Sequence, residues 1–246
     1  MSDHGRELWC VRMGRVAYAD ALAYQRDLAA RRISGEVPQD VLLLVEHPPV
    51  VTLGRSAKAA NLTAPRELLA ARGVELFDVE RGGDVTFHGP GQLVGYPIVD
   101  LARHKQDLHW YLRAIEELLI NALAAFDIHG ERSAGQTGVW TAARKIASIG
   151  VHARQWVTWH GFALNVTTDL SYFDLMVPCG IAGVTMTSVE RELLDRADGA
   201  CLAPSASLWD DACDAVVAAA ADVFDLAPRA VLPDAVAAAP APMLAS

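Results

Sequence analysis

Cys179 is the residue best placed for covalent chemistry, because it stands between a proline and a glycine in the run 178–180. Such a setting predicts a turn that presents the thiol instead of packing it against a regular face. Cys10 lies in an apolar predicted strand, and Cys201 and Cys213 lie in or near the last predicted helix, so we interpret all three as small buried hydrophobes. A lone cysteine is commonly structural, and that role remains the alternative for Cys179.

A nucleophilic cysteine requires a neighbouring base or cation, since a free thiol is only a few per cent ionised at neutral pH. Lys145 is one candidate, because it opens the segment 146–151, which is predicted to be a buried strand. The alternative is an edge lysine whose aliphatic stem reaches water. His88 is a competing base, although it could equally hydrogen-bond the backbone, and we interpret Arg144 as a solvent-facing partner.

A glycine-rich stretch, Arg81–Gln92, separates two alternating segments at 74–79 and 93–99 that predict strands. It reads Arg-Gly-Gly-Asp-Val-Thr-Phe-His-Gly-Pro-Gly-Gln, and its four glycines and one proline argue against an ordinary helix or strand interior. Glycine lets a backbone approach a partner closely, while the polar side chains add donors and acceptors. The stretch is predicted to be either a loop that cradles substrate or a long hairpin connection.

The rest of the chain predicts an α/β fold of the α+β type, a mixed β-sheet packed with helices. An apolar run at 41–45 has the length of a strand buried on both faces, and Asp107 can cap a helix that extends to about Phe126. We expect a single catalytic domain at 1–228 and an Ala/Pro-rich, mobile tail at 229–246 with little to pack. The other predicted helices are 18–32, 65–71 and 207–224, and the other predicted strands are 8–11, 50–53, 138–140, 145–152 and 156–166.

Composition and charge exclude several classes of protein. The formal net charge of −9 argues against nucleic-acid binding, which favours a basic surface. Hydrophobic residues make up 52%, enough for a large core, yet no apolar run reaches the ~20 residues of a membrane span. The cysteines form no CxxC pair and the histidines no zinc motif, so no metal is expected. With no signal-peptide pattern at its start, the chain is predicted to be cytoplasmic, with free thiols and no membrane partner.

Six short motifs follow one another between Glu46 and Gly183, and together they resemble those of the lipoyl(octanoyl) transferases. The resemblance implies the fold of the biotin and lipoate protein ligase catalytic domains. It weakens after Gly183 and does not extend to the Ala/Pro-rich tail. The motifs are Glu46-His-Pro-Pro49 with Thr52 and Gly54, Arg81–Gln92, Gly138-Val-Trp140, Lys145-Ile-Ala-Ser-Ile-Gly150, His160-Gly-Phe-Ala-Leu-Asn-Val166 and Pro178-Cys-Gly-Ile181.

The resemblance also implies roles for individual residues. Cys179 would be the nucleophile that accepts the acyl group, and Lys145 the group that activates it. Three further segments match those that contact substrate in the family. Their residues are Arg81, Gly82, Gly83, Asp84, Val85, Thr86, Phe87 and His88, then Ser148, Ile149 and Gly150, and then Gly161, Phe162 and Ala163.

The reaction implied is transfer of an octanoyl group from acyl carrier protein to a lysine of a lipoyl domain. Acceptors would be the lipoyl domains of 2-oxoacid dehydrogenase subunits and the glycine cleavage H protein. Because a thioester donor is already activated, no ATP or other cofactor is expected. Acyl carrier proteins are acidic, so a chain of negative net charge would need a local basic rim, for which Arg55, Lys58 and Arg144 are candidates.

Two alternatives come from other classes of function. An ATP-dependent lipoate or biotin protein ligase would share the fold, but Cys179 would have no obvious part in adenylation. Lipoate ligases also carry an aspartate after the histidine that corresponds to His88, where this chain has glycine. A non-catalytic acyl-carrier-binding module would leave Cys179 as a structural residue.

Overall fold

A seven-stranded mixed sheet forms the centre of the computed structural model, which describes residues 6–196 and 208–237. The described helices are α1 (Tyr18–Ser34), α2 (Arg66–Ala71), α3 (Leu108–Ala124), α4 (Val189–Arg196), α5 (Leu208–Phe224) and α6 (Pro233–Ala237). The described strands are β1 (Glu7–Arg15), β2 (Asp40–Glu46), β3 (Val50–Leu53), β4 (Glu75–Asp78), β5 (Val85–His88), β6 (Gln92–Ile98), β7 (Val139–Thr141), β8 (Arg144–Arg154), β9 (Val157–Asn165) and β10 (Ala227–Ala230).

The main sheet has the strand order β10-β1-β2-β6-β9-β8-β7. Its first three strands are parallel, and every later pairing is antiparallel. This arrangement confirms the predicted mixed sheet, and each helix and strand predicted from the sequence is present. None of the helices that the structure describes combines the length and apolar character needed to cross a bilayer.

Both faces of the main sheet are covered, which explains the continuous apolar run in β2. Leu42 and Leu44 pack towards α3 and α5, while Val41, Leu43 and Val45 pack towards α1 on the other face. A strand that is buried on both sides has no polar alternation. On the first face, Asp107 caps α3 as predicted, since its carboxylate accepts hydrogen bonds from the first-turn amides of that helix.

A second, three-stranded sheet, in the order β4-β3-β5, lies beside the main sheet and corrects one prediction. The glycine-rich stretch is not a single loop, because its residues 85–88 form β5 and pair with β3. Val85 and Phe87 pack into a core cluster with Leu69 and Phe173, beneath the small sheet. The alternation of apolar and polar residues over these four positions is itself a strand pattern.

The end of the described chain also differs from expectation. Residues 227–230 form β10 and add a parallel edge strand to β1, and α6 follows at 233–237. Val236 is fully buried and belongs to the core cluster on the α1 face. The expectation that the segment from 229 has little to pack is therefore wrong as far as Val236, whereas 238–246 lie outside the described residues. The domain boundary at 228 stays a prediction.

Candidate active site

A cavity of about 250 Å³ opens between the small sheet and the main sheet. Its walls come from β5, β6, β8 and β9, the start of α1, a loop at 135–137 and the turn that carries Cys179. The volume lies just below the ~300–1,000 Å³ usual for drug-sized ligands, so the cavity suits a small or slender ligand. The lining residues are Tyr18, Arg81, Gly83, Asp84, Thr86, His88, Val94, Tyr96, Gly135, Gln136, Thr137, Ser148, Ile149, Gly150, His160, Gly161, Phe162, Ala163, Cys179 and Ile181.

The short turn at 178–180 presents Cys179 to this cavity, as the Pro-Cys-Gly sequence predicts. Cys179 has a φ of 56°, in the left-handed region, which costs about 1–3 kcal/mol for a residue with a side chain. The residue is partly exposed, and its Sγ lies 3.6 Å from Ser148 Oγ on β8. The turn thus holds the thiol against β8 with one side open to the cavity.

Two hydrogen bonds and one close contact fix the position of this turn. The Val177 amide donates to Asn61 O at 2.7 Å, and Asn61 Nδ2 donates to Asp84 Oδ2 at 2.6 Å. Gly180 packs on the same pair, since a Cβ at that position would lie 2.6 Å from Asp84 Oδ2. Asp84 therefore lines the cavity and also supports the segment that carries Cys179.

The other described cysteines are unsuited to nucleophilic chemistry. Burial raises the pKa of the Cys10 and Cys213 thiols to about 11, so both are protonated at neutral pH. This agrees with their interpretation as small hydrophobes. Cys201 lies outside the described residues.

Lys145 is fully buried, and the alternative of an edge lysine that reaches water is therefore wrong. Its Nζ donates to Thr137 O at 3.4 Å and lies 4.9 Å from the centre of the Trp140 ring. Gly138 leaves room for this side chain, because a Cβ there would lie 2.9 Å from Lys145 Cε. The hydrogen bonds of the described residues include none between Lys145 and Cys179. Activation of the thiol by Lys145 accordingly stays a prediction.

An irregularity in β8 brings Lys145 to the side of the sheet on which Cys179 lies. The pairing of β8 with β7 shifts register, which leaves Ile146 as an extra residue. Ile146 and Ala147 both pack into the core beneath the sheet. Because two consecutive residues face the core, strand alternation is interrupted there. Lys145 and Ser148 can then share the opposite face, where Ser148 contacts Cys179.

Arg81 adds a second buried cation to the site. Its guanidinium donates to Thr52 Oγ1, to Thr52 O at 2.7 Å and to Gly82 O at 3.0 Å. Within the described part of the chain it forms no salt bridge. Burial lowers the pKa of Arg81, and the nearby Tyr18 and Cys179 partly oppose that shift. Arg81 can therefore stabilise negative charge that develops at Cys179 or on a ligand.

His88 is a poor candidate for the base that activates the thiol. Its Nδ1–H donates to Gln92 Oε1 at 2.8 Å, and Gln92 Nε2 donates to Asn165 Oδ1 at 2.9 Å. Burial lowers the pKa of His88 to about 3, so its ring is neutral and weakly basic at pH 7. The hydrogen-bond chain instead gives His88 a role in ordering one wall of the cavity.

The buried, neutral His88 should make the protein sensitive to acid. The unfolded chain binds a proton at this residue near pH 6.5, whereas the folded protein does so only near pH 3. As the pH falls from 6.5, the unfolded state binds more protons and stability is lost, by up to about 1.4 kcal/mol per pH unit. We expect His88→Gln to flatten the fall in the free energy of unfolding between pH 6.5 and 4, measured by urea titration. The control His109→Gln changes an exposed histidine and should keep the wild-type slope. An unaltered slope in His88→Gln would contradict this assignment.

Of the fourteen predicted substrate-binding positions, eleven line the cavity, and Gly82, Val85 and Phe87 do not. Val85 and Phe87 alternate with Thr86 and His88 on β5 and so face the core instead. The Gly82 amide donates to the Val151 carbonyl at 2.8 Å, which ties the glycine-rich stretch to β8. The eleven are Arg81, Gly83, Asp84, Thr86, His88, Ser148, Ile149, Gly150, Gly161, Phe162 and Ala163.

Sequence reasoning did not assign several of the lining residues to the site. His160 could have been assigned to the site, because it is the first residue of the motif 160–166. Tyr18 could not, because it lies in α1, before the first motif in the sequence. Tyr96 donates its hydroxyl proton to His47 Nε2 at 2.8 Å, which links the cavity wall to the first motif. The remaining unassigned lining residues are Val94, Gly135, Gln136, Thr137 and Ile181.

Comparison with known proteins identifies the family. A model of the lipoyl protein ligase A/B catalytic domain matches residues 17–200. The octanoyltransferase of Gloeobacter violaceus is 54% identical over 168 residues, which cover 68% of this chain and 73% of that protein. The chain belongs to the octanoyltransferase family. The octanoyltransferase of Acidobacterium capsulatum is 51% identical over 197 residues, which cover 75% of this chain and 80% of that protein. The resemblance drawn from the six motifs is confirmed.

Solved structures confirm the fold expected for an octanoyltransferase. A putative lipoate protein ligase from T. acidophilum superposes with a TM-score of 0.71 over 94% of this chain and 92% of its own, at 15% identity. A lipoate-protein ligase A bound with ATP gives a TM-score of 0.70 over 95% of this chain and 92% of its own, at 14% identity. Identities this low show the fold alone. The chain is thus an acyltransferase built on the lipoate protein ligase fold.

Substitution of Gly83 tests whether the glycine-rich stretch contacts substrate in this octanoyltransferase. Its φ is 86°, and a Cβ there would lie 3.4 Å from Arg81 Nη1. We expect Gly83→Val to abolish transfer, because a branched side chain distorts the cavity wall and displaces Arg81. The matched control is Gly35→Val, with a φ of 84° and nothing within 4 Å of the added Cβ. Both variants should lose similar stability, on the order of 1–3 kcal/mol, and only Gly83→Val should lose activity. Full activity in Gly83→Val would make the stretch a mere connection.

Proposed function

We propose that this enzyme moves an octanoyl group from octanoyl-acyl carrier protein to a lipoyl-domain lysine through a thioester on Cys179. The observation that carries the proposal is the presentation of Cys179 on a left-handed turn at the wall of a small cavity. Two buried cations support it, because Arg81 lines the cavity and Lys145 donates a hydrogen bond to the carbonyl of the cavity-lining Thr137. The sequence relatives named octanoyltransferase support the same reaction.

In the first step the Cys179 thiolate, stabilised by the Lys145 ammonium, attacks the carbonyl of the donor thioester. The new S–C bond forms, the S–C bond to the carrier breaks, and the carrier thiolate leaves with a proton from Lys145. Lys145 is then a neutral amine.

In the second step the amine of the acceptor lysine attacks the Cys179 thioester. An amide N–C bond forms, the S–C bond to Cys179 breaks, and Lys145 accepts a proton from the attacking nitrogen. This restores the starting pair of ammonium and thiolate. Donor and acceptor thus react in turn at one sulfur atom, and the energy of the donor thioester drives the transfer without ATP.

The acceptors in this proposal are lipoyl domains of 2-oxoacid dehydrogenase subunits and the glycine cleavage H protein, in the cytoplasm. The reaction is tested by incubating the enzyme with octanoyl-acyl carrier protein and an unmodified lipoyl domain in the absence of ATP. We expect the lipoyl domain to gain one octanoyl group on its lysine. Transfer that requires ATP, or ATP–pyrophosphate exchange driven by octanoate or lipoate, would instead establish a ligase.

A further inference from the structure

We infer that the turn at 55–58, here called the basic turn, is the surface on which the acidic carrier protein docks to deliver its acyl group. This inference rests on the proposed function and names the contact surface for the donor. Two exposed cations, Arg55 and Lys58, form its recognition element. The occupant is an acidic carrier domain that bears the acyl thioester on a flexible arm.

The basic turn is held rigidly over the wall of the cavity. The amide of Gly54 donates to Asp84 O at 3.2 Å, that of Arg55 to Arg81 O at 3.0 Å, and that of Ser56 to Gly83 O at 3.1 Å. Three consecutive amides of this segment are therefore bonded to carbonyls of the stretch 81–84. A rigid surface loses little conformational entropy when a partner binds to it.

The same segment contacts the support of the nucleophile. The Lys58 amide donates to Asp84 Oδ1 at 3.3 Å, and the other oxygen of that carboxylate faces Gly180. Three residues further on, the Asn61 carbonyl accepts the hydrogen bond from Val177. A protein docked on the basic turn would consequently sit beside the turn that carries the thiol, within reach of a flexible arm.

The charges of the basic turn are not neutralised within the described part of the chain. The side chains of Arg55 and Lys58 form no salt bridge or hydrogen bond there. Arg144, the third predicted member of a basic rim, is different, because it is paired with Glu192 at 2.7 Å and with Asp195 at 3.6 Å. Arg144 is thus removed from the predicted rim.

Local charge also favours an acidic partner. The chain carries a formal net charge of −9, yet residues 47–66 contain Arg55, Lys58 and Arg66 and no aspartate or glutamate. The net negative charge of the chain would repel an acidic carrier, whereas this segment would attract it. Such an arrangement selects one docking orientation and raises the association rate, in a manner that salt weakens.

The test compares two donors on the double variant Arg55→Glu/Lys58→Glu. With octanoyl-acyl carrier protein, the second-order rate of acylation of Cys179 should fall at least ~10-fold at low salt. With octanoyl-pantetheine, a small uncharged thioester, the rate should equal that of the wild type. The matched control Arg154→Glu changes an exposed arginine at the far end of β8 and should match the wild type with both donors.

The outcomes separate this inference from the function on which it rests. If the wild type is acylated by the carrier donor and the double variant is equally fast, the docking surface is wrong and the function stands. An equal loss with both donors would make the basic turn structural, which also overturns the inference. If neither donor acylates the wild type, the proposed function fails and the docking surface fails with it.

Discussion

Cys179→Ala is expected to reduce octanoyl transfer to a lipoyl domain by more than ~10⁴-fold, because no other described thiol can take its place. The cavity has one sulfur nucleophile in its described wall, and the substitution removes it while leaving a small side chain. Transfer is measured as the rate at which the lipoyl-domain lysine gains an octanoyl group. The control Cys213→Ala removes a buried thiol of α5 and should retain most of the activity.

The loss of activity in Cys179→Ala is interpreted together with the thermal stability of the variant. The left-handed φ of Cys179 persists in an alanine variant, so the thermal midpoint should change little. Activity within tenfold of the wild type would exclude a thioester mechanism at this residue. It would favour either direct transfer between the partners or a structural role for the cysteine.

Two substitutions of Lys145 should separate its electrostatic role, which is to stabilise the thiolate, from its role in proton transfer. Lys145→Met removes both, so it should slow alkylation of Cys179 by iodoacetamide near neutral pH and move the pH midpoint of that reaction upward. Lys145→Arg keeps the charge but cannot readily give up a proton. It should preserve much of the alkylation rate and still lose acyl transfer by ~10²-fold or more.

These rates are measured in a background in which Cys10, Cys201 and Cys213 are alanine, so that only Cys179 reacts. Lys145 is fully buried, and Lys145→Met fills its space with an apolar chain of similar length. If the midpoint in Lys145→Met equals that of the wild type, Lys145 does not support the thiolate. Arg81 would then be the supporting cation, since its buried guanidinium lines the same cavity as Cys179 and His88 is too weak a base.

Elements with a single dominant pattern could be predicted from the sequence. The apolar run of β2 predicts a strand buried on both faces, and the structure places helices on both faces of it. The spacing in α3 and its cap at Asp107 predict that helix. The sequence prediction did not include the short strand β5, because its four alternating residues have glycines close by on both sides and the whole stretch resembles a loop. The position of α6 depends on the packing of Val236 into the core cluster on the α1 face, which no local sequence pattern predicts.

The candidate site could be predicted where one motif supplies both chemistry and geometry. The Pro-Cys-Gly run predicts a turn that exposes Cys179, and the turn does so. A motif does not by itself show which of its residues face the cavity and which face the core. Val85 and Phe87, predicted to contact substrate, pack into the core. Tyr18 reaches the cavity from a distant helix, and its place depends on packing between separate elements.

The proposed reaction passes through an octanoyl group held on Cys179 between donor and acceptor. It is tested by the intact mass of the enzyme after incubation with octanoyl-acyl carrier protein and no acceptor. We expect the mass to rise by one octanoyl group, the increase to disappear with hydroxylamine, and a lipoyl domain added afterwards to take up the group. Cys179→Ala should gain no mass. An unmodified wild-type enzyme that nevertheless octanoylates the lipoyl domain when both partners are present would contradict the account.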